Sequence, residues 1–323
     1  MDKVDRKILD ILQTGFPLCV NPWSSIGIKL GISEDDVLQR IKILKKDGVI
    51  RQISPIFDSS KIGYHSTLCA FKVPDNRIES VAEALVGHSG ISHCYLRDNS
   101  YNIWFTLTLE KRFDLNEELS SLAQINDIDS WLDLPALKVF KISFTLDMNG
   151  CKKNAVSGKI DRCRNTSKND LPVEKEFIRA VQHDLPLKRN PFEDVAIKLE
   201  CSQQYVVDNL KSYINTGQIR RFAAILRPLR AGYSVNLLVA WKPSVSNIET
   251  LGKYAASLAN VSHCYQRKVQ LKWPYSVYTM IHEENESTCR NIIGDIEKTA
   301  KVSEFCVLKT LKEFKKVRVI YYP

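Results

Sequence analysis

The chain has 323 residues, 44% hydrophobic and 26% charged, an ordinary globular balance long enough for two or more domains, each with its own core. Its longest apolar runs, around 103–107 and 237–241, fall far short of the roughly 20 residues that span a bilayer, which excludes a membrane protein of the helical kind. The formal charge of +9 invites a nucleic-acid partner, but nearly half of it sits at 149–170, where Lys152, Lys153, Lys159, Arg162, Arg164 and Lys168 face only Asp161 and Asp170.

In chain order, Ile8, Leu9, Ile11 and Leu12 give 5–13 the period of a helix packed on one face. A second short helix follows Pro22 and ends at Gly31. Ser33, with Asp36 three residues on, predicts an N-cap for a third helix whose apolar face is Val37, Ile41 and Leu44 and which Gly48 stops. The alternating run VIRQISPIF then reads as a β-wing, completing a winged helix-turn-helix. Beyond it come a strand over 65–73, a helix over 78–86, strands over 91–97 and 103–109, a helix over 115–122 and a last strand over 137–146. That order, βαββαβ, predicts a ferredoxin-like domain.

The whole pattern occurs twice. QTGFPLCVNPWSSIGIKLGIS at Gln13 lies over QHDLPLKRNPFEDVAIKLECS at Gln182, and Ile50, Arg51, Gly63 and Tyr64 match Ile219, Arg220, Gly232 and Tyr233. ISHCYLR at Ile91 matches VSHCYQR at Val261, and YNIWFTL at Tyr101 matches YSVYTMI at Tyr275. The expected class is therefore α+β, two tandem repeats of winged helix plus βαββαβ: winged helix 1–60, βαββαβ domain 61–148, basic linker 149–170, winged helix 171–228 and βαββαβ domain 229–323. The polar stretch 149–170, without apolar period, reads as a mobile linker.

A charged, helix-periodic N-terminus gives no signal peptide, and nine scattered cysteines without a C-x-x-C pair give neither a disulfide framework nor a thiolate zinc site; the cytoplasm fits best. The helix-turn-helix suggests DNA, yet the first recognition helix balances four cations against four acids, and residues 193–217 of the second repeat hold two cations against four acids. Phosphate contact depends on Lys and Arg, so these helices argue for a dimer scaffold over a duplex reader.

The repeated string Ser-His-Cys-Tyr-x-Arg carries the most chemistry. On a strand His93, Tyr95 and Arg97 share one face, and His263, Tyr265 and Arg267 do likewise, joining an imidazole, a phenol and a fixed cation suited to carboxylates. The bland alternative is a half-exposed sheet face. His93 and Cys94 face opposite ways, so no metal site is expected there. Arg51, Arg220 and Arg221 at the wings and the rings of Tyr101, Trp104, Trp273, Tyr275 and Tyr278 suggest a pocket for a flat polyanion.

With these strings the chain resembles the siroheme decarboxylase family, built on the Lrp/AsnC regulator architecture. FPL…NPW, VIRQISPIFD and HCYLRDNSYNIWFTL resemble the A-type subunit; LPLKRNPF, GQIRRFAAILR, VSHCYQR and WPYSVYTMIH resemble the B-type. The resemblance implies a fused pseudo-heterodimer, with a homodimer as its further assembly, that removes carbon dioxide from two acetate arms of siroheme to give didecarboxysiroheme. It implies no added cofactor, since the iron belongs to the substrate. His263 and His93 are the expected proton donors, with an ordinary imidazole pKa near 6.5 suiting neutral pH, and Tyr265 and Tyr95 are expected to orient them or to share that catalytic role. Arg267, Arg97, Arg220, Arg221 and Arg51 are expected to anchor carboxylates, with Trp273, Tyr275 and Tyr101 against the ring. The family's B-type pattern has a histidine where Pro228 stands, and its A-type H-N-Y reads His93, Cys94, Tyr95. The competing classes are an Lrp/AsnC-type DNA-binding regulator and a non-catalytic tetrapyrrole sensor.

Overall fold

The computed structural model describes residues 1–142, 174–227 and 235–323, so the predicted linker 149–170 lies outside the described residues. Helix α1 (Lys3–Thr14) starts on a capping box between Asp2 and Asp5 and buries Ile8, Leu9 and Leu12. Helix α2 (Pro22–Leu30) stops at Gly31, whose φ of 71° is a left-handed conformation that a side chain would strain. Helix α3 (Glu34–Lys46) is capped as the sequence predicts, Asp36 N donating to Ser33 Oγ at 3.1 Å, and turns Val37, Leu38, Ile41 and Leu44 inward. The second repeat repeats the trio as α6 (Lys175–Val181), α7 (Glu193–Lys198) and α8 (Gln203–Asn215).

The expected wings are not hairpins. Each repeat supplies one strand, β1 (Ile50–Phe57) or β6 (Ile219–Leu226), and the two pair antiparallel with each other. A single alternating run has no partner within its own repeat, and its backbone groups are satisfied across the pseudo-dyad. The six helices consequently share one core around this ribbon, where Phe16 packs on Phe222 at 4.8 Å and the Trp23 indole N–H donates to the Lys188 carbonyl at 2.8 Å. The two helical units of the chain form one layer.

The βαββαβ halves merge as well. The first comprises β2 (Tyr64–Phe71), α4 (Ile78–Gly87), β3 (Ile91–Arg97), β4 (Ile103–Glu110), α5 (Leu115–Ile125) and β5 (Trp131–Ile142). The second comprises β7 (Val235–Trp241), α9 (Ile248–Ser257), β8 (Val261–Arg267), β9 (Val277–Glu283), α10 (Glu286–Ala300) and β10 (Phe305–Lys316). Each half has the ferredoxin order, and together they close into an eight-stranded antiparallel barrel, β10-β3-β4-β2-β5-β8-β9-β7. The last strand of each half is longer than its sequence signature: β5 starts at Trp131 rather than 137, because its first part pairs with β2 and its second with β8 of the other repeat. Likewise β10 pairs first with β7 and then with β3. Closure leaves the barrel without a free edge among the described residues.

Helices cover the outside of the barrel over two apolar cores, in which Cys94 and Cys264 are buried as small hydrophobes. Two lysines lock the halves: Lys315 donates to the carbonyls of Val86 and His88 at the end of α4, and Lys141 to that of Leu258 beyond α9. Each thus places a cation at the C-terminal end of a helix belonging to the other repeat. The opposite faces of the strands point into the barrel, which is where the sequence places its candidate chemistry.

Candidate active site

Because β3 and β8 lie four steps apart in an eight-stranded ring, they stand on opposite walls and run the same way. Their inward faces carry the two copies of His-x-Tyr-x-Arg, so the pair of sites expected from the sequence is a single chamber on the pseudo-dyad. Each copy descends in three levels. His93 and His263 stand nearest the helical layer, Tyr95 and Tyr265 come next, and Arg97 and Arg267 lie deepest. The His263 ring stacks on Tyr265 at 6.0 Å and 18°, and Arg267 covers the Tyr265 ring at 4.7 Å; Arg97 covers Tyr95 at 5.2 Å.

The deep arginines are unusual. Arg97 donates to the Leu308 carbonyl at 2.9 Å and to Thr310 Oγ1 at 3.1 Å, and Arg267 to the Leu134 carbonyl at 2.7 Å. Both leave a buried Nε without a partner, and neither has a carboxylate within ion-pair range among the described residues. Burial lowers the basicity of both, Arg97 to about 10. A buried cation without an acid is costly, so the arrangement suits a ligand that brings negative charge.

More cations ring the histidine level. Arg51 approaches His93 and Tyr95, and Arg220 approaches His263 and Tyr265. Arg220 is held 3.5 Å from the buried Asp58, whereas Arg51 donates to the Lys316 carbonyl at 2.9 Å and has no acid in ion-pair range among the described residues. Arg221 follows at the register shift between Ile56 and Phe57 of the ribbon, where burial lowers its basicity, and it is not among the cations that act on His93 or His263.

The aromatic residues meet as the sequence suggests, but as a plug. Tyr101, Trp104, Trp273 and Tyr278 are buried together at the arginine end. The Trp273 N–H donates to Tyr278 Oη at 2.7 Å, Tyr101 Oη bonds Ser130 Oγ at 2.9 Å, and the half-buried Tyr275 packs on Trp273 at 4.8 Å. Their rings fill the barrel as a core, and a flat ligand entering from the histidine end meets at most the top of this stack.

The histidines depart from the ordinary value. Burial, then Lys316 and Arg51, hold His93 down to about 4; burial, then His282, His93, Arg220 and Arg267, hold His263 down to about 3. Both are neutral at pH 7, a correction to the expectation of a value near 6.5. The cause is burial together with the converging cations. Burial pushes the Tyr95 and Tyr265 phenols up, so both remain protonated. Each imidazole nevertheless keeps some accessible surface.

One functional residue is missed by the repeat pattern. Ser262 Oγ lies 2.8 Å from His263 Nδ1 and 2.7 Å from Nε2 of His282 on β9, and His282 Nδ1 bonds Asn236 Oδ1 on β7. With the amide oxygen as acceptor, His282 carries its proton on Nδ1, Ser262 donates to His282 Nε2 and accepts from His263 Nδ1, and His263 Nε2 is left free for the chamber. In the first repeat Ser92 Oγ stands 2.9 Å from His93 Nδ1, but Thr108 and Ser66 occupy the places of His282 and Asn236. The signal was the final residue of WPYSVYTMIH, invisible to a search for what the halves share.

The helical layer offers little to a duplex. Arg40 of α3 is tied to Asp2, Asp5 and Asp36, Lys45 to Asp184, and Arg189 neutralises Asp35. Among the described residues no helix is long and apolar enough to cross a membrane.

Comparison with known proteins agrees with this geometry. An AsnC-like ligand binding domain matches residues 61–141 and 230–315, and a siroheme decarboxylase NirDL-like HTH domain matches 5–51 and 174–220. The chain is 33% identical to the siroheme decarboxylase of Hydrogenobacter thermophilus over 98% of this chain and 94% of that one. From Desulfovibrio desulfuricans, a siroheme decarboxylase alpha subunit is 41% identical and a beta subunit 34%, covering 46% and 47% of this chain and 86% and 96% of their own. The crystal structure of the siroheme decarboxylase NirDL in co-complex with an iron-uroporphyrin III analogue superposes with a TM-score of 0.77 at 29% identity, covering 99% of this chain and 95% of that one.

Proposed function

Since the chain belongs to the siroheme decarboxylase family, we propose that it is a carboxy-lyase that takes siroheme to didecarboxysiroheme in the barrel chamber, one proton and one carbon dioxide per acetate. The observation that carries this reading is the facing pair of His-Tyr-Arg columns, beneath a ring of cations and above arginines that lack acidic partners. Net chemistry at each arm is cleavage of the CH2–carboxylate bond, release of carbon dioxide, and delivery of a proton to the carbon, which becomes a methyl group. The ring takes up electron density as the bond breaks. The protein must then bind the other carboxylates, desolvate the leaving one and supply the proton.

Arg97, Arg267, Arg51 and Arg220 anchor carboxylates, and the apolar plug keeps water out from below. His263 and His93 deliver protons from Nε2. Arriving carboxylates counter the positive field that keeps both rings neutral, so the substrate itself recruits the proton that the reaction consumes. Tyr95 and Tyr265 orient the imidazoles. The iron arrives with the substrate, and no added cofactor enters the scheme. We also read the protein as cytoplasmic, in keeping with the free cysteines among the described residues, and as a pseudo-heterodimer within one chain.

The test is incubation of purified protein with siroheme under anaerobic conditions, following the mono- and didecarboxylated products by chromatography. His263→Ala and His93→Ala are each expected to slow or stop at an incomplete product. Recovery of intact siroheme from folded parent protein refutes the reading, while a shifted spectrum without turnover would make it a tetrapyrrole sensor.

A further inference from the structure

The segment after β10 belongs to neither matched family region, which ends at residue 315, and no function above uses it. It crosses from the barrel to the helical layer under firm constraint. Val317 N donates to the Ser92 carbonyl at 2.8 Å, beside His93, and Tyr321 N to Gln182 Oε1 at 2.7 Å. Tyr322 N donates to Tyr64 Oη at 2.6 Å and Tyr322 Oη to the Ile62 carbonyl, while Arg179 holds the Tyr322 carbonyl. Both tyrosine rings pack against Tyr64, at 4.9 and 5.2 Å.

Strapped at both ends, this arm presents Arg318. The guanidinium donates to Ser54 Oγ on β1, has no other hydrogen-bond partner and no carboxylate in ion-pair range among the described residues, and stands near Arg51. Arg51 and Arg318 together line an open recess of about 410 Å3 between the ribbon and the arm. Of the guanidinium's five donors only one is spent, and the acid on the same recess, Asp184, is taken up by Lys45 at 2.6 Å and by the Ile53 N–H at 2.8 Å, so the two guanidiniums face the recess without a carboxylate of their own and suit an incoming anion. The arm's first hydrogen bond is to the residue preceding His93, so this recess adjoins the histidine level of the chamber.

We propose that the C-terminal arm is part of the substrate site, and that Arg318 with Arg51 forms a clamp for a peripheral carboxylate of the tetrapyrrole. This rests on the decarboxylase reading for its ligand, though not for its chemistry. A clamp on a non-reacting arm contributes uniform binding, and the proton-delivering groups are left untouched.

The experiment is anaerobic spectroscopic titration of the full chain with siroheme and, separately, iron-uroporphyrin III, together with single-turnover decarboxylation at saturating siroheme. Arg318→Gln is expected to weaken binding of both by about ten-fold or more, the range of one charge-assisted hydrogen bond, and to flatten the salt dependence of the dissociation constant. The saturated single-turnover rate should stay within about two-fold, as uniform binding requires. Arg318→Lys keeps the charge without the fork; it is expected to bind with intermediate affinity and to retain the salt dependence, and serves should the glutamine variant fold poorly. Unchanged affinity and salt dependence in either variant overturns the clamp and leaves Arg318 a latch for the arm. Arg318-dependent binding in a protein that returns siroheme intact upholds the clamp and refutes the decarboxylase reading.

Discussion

His282 is the sharpest point at which the chamber's two halves differ, and replacing it isolates that difference. In His282→Ala the Ser262 hydroxyl loses its acceptor 2.7 Å away and keeps only the longer contact to the Met280 carbonyl at 3.4 Å, so its acceptance from His263 Nδ1 at 2.8 Å is less firmly directed. His263 is free to place its proton on either nitrogen and to rotate, so only part of the population presents Nε2 correctly. Groups that orient a reactive imidazole in this indirect way are worth roughly 10- to 100-fold, or about 1.4 to 2.8 kcal/mol of barrel-specific barrier. His282 touches no substrate in this scheme, so affinity for siroheme is expected to change less than about three-fold. The assay is single-turnover decarboxylation as a function of pH. The variant should be slower across the range and its pH profile should shift, because His282 also contributes to holding His263 down to about 3. His282→Gln, which offers an amide acceptor in place of the ring, is expected to recover part of the rate. A rate equal to the parent's with an unshifted profile would refute the relay, and a loss confined to affinity would make His282 a binding residue instead.

Siroheme binding near pH 7 should take up protons, since His93 at about 4 and His263 at about 3 are neutral beforehand and the substrate carboxylates raise both; calorimetry in buffers of different ionisation enthalpy reads the number, and zero or net release contradicts the sign. The same lowered values mean that the unfolded chain binds these protons first as acid is added. Stability is then full above about 6.5 and lost progressively as pH falls toward 4 and 3, which denaturant midpoints between pH 7 and 4 would register. Phe222→Ala should destabilise by about 3–5 kcal/mol, because Phe222 joins the helical units of both repeats; a loss under about 1 kcal/mol would show that those units do not share a core. Random-sequence duplex DNA should not be retained at physiological salt, given Arg40 and Lys45 already paired with acids, and a salt-sensitive shift would restore the regulator reading.

The sequence by itself determined the elements and the duplication. Ser33, Gly31 and the apolar period of α3 act within a few residues of themselves, so caps and helices were legible, as were the strands bearing His93 and His263. Alternation also assigned each His-Tyr-Arg to one face, because strand geometry is local. What only the tertiary structure decided is what those faces meet. That the wings pair with each other, that Trp131–Ile142 serves two partners, and that both columns line one chamber depend on contacts between residues far apart in the chain, which no periodicity encodes. The histidine pKa values followed the same rule: near 6.5 for an isolated imidazole, about 3 and 4 where burial and converging cations act together. The repeat comparison pointed to shared residues and passed over His282 and Arg318, which stand where the halves have diverged and where chain closure brings them beside His263 and Arg51.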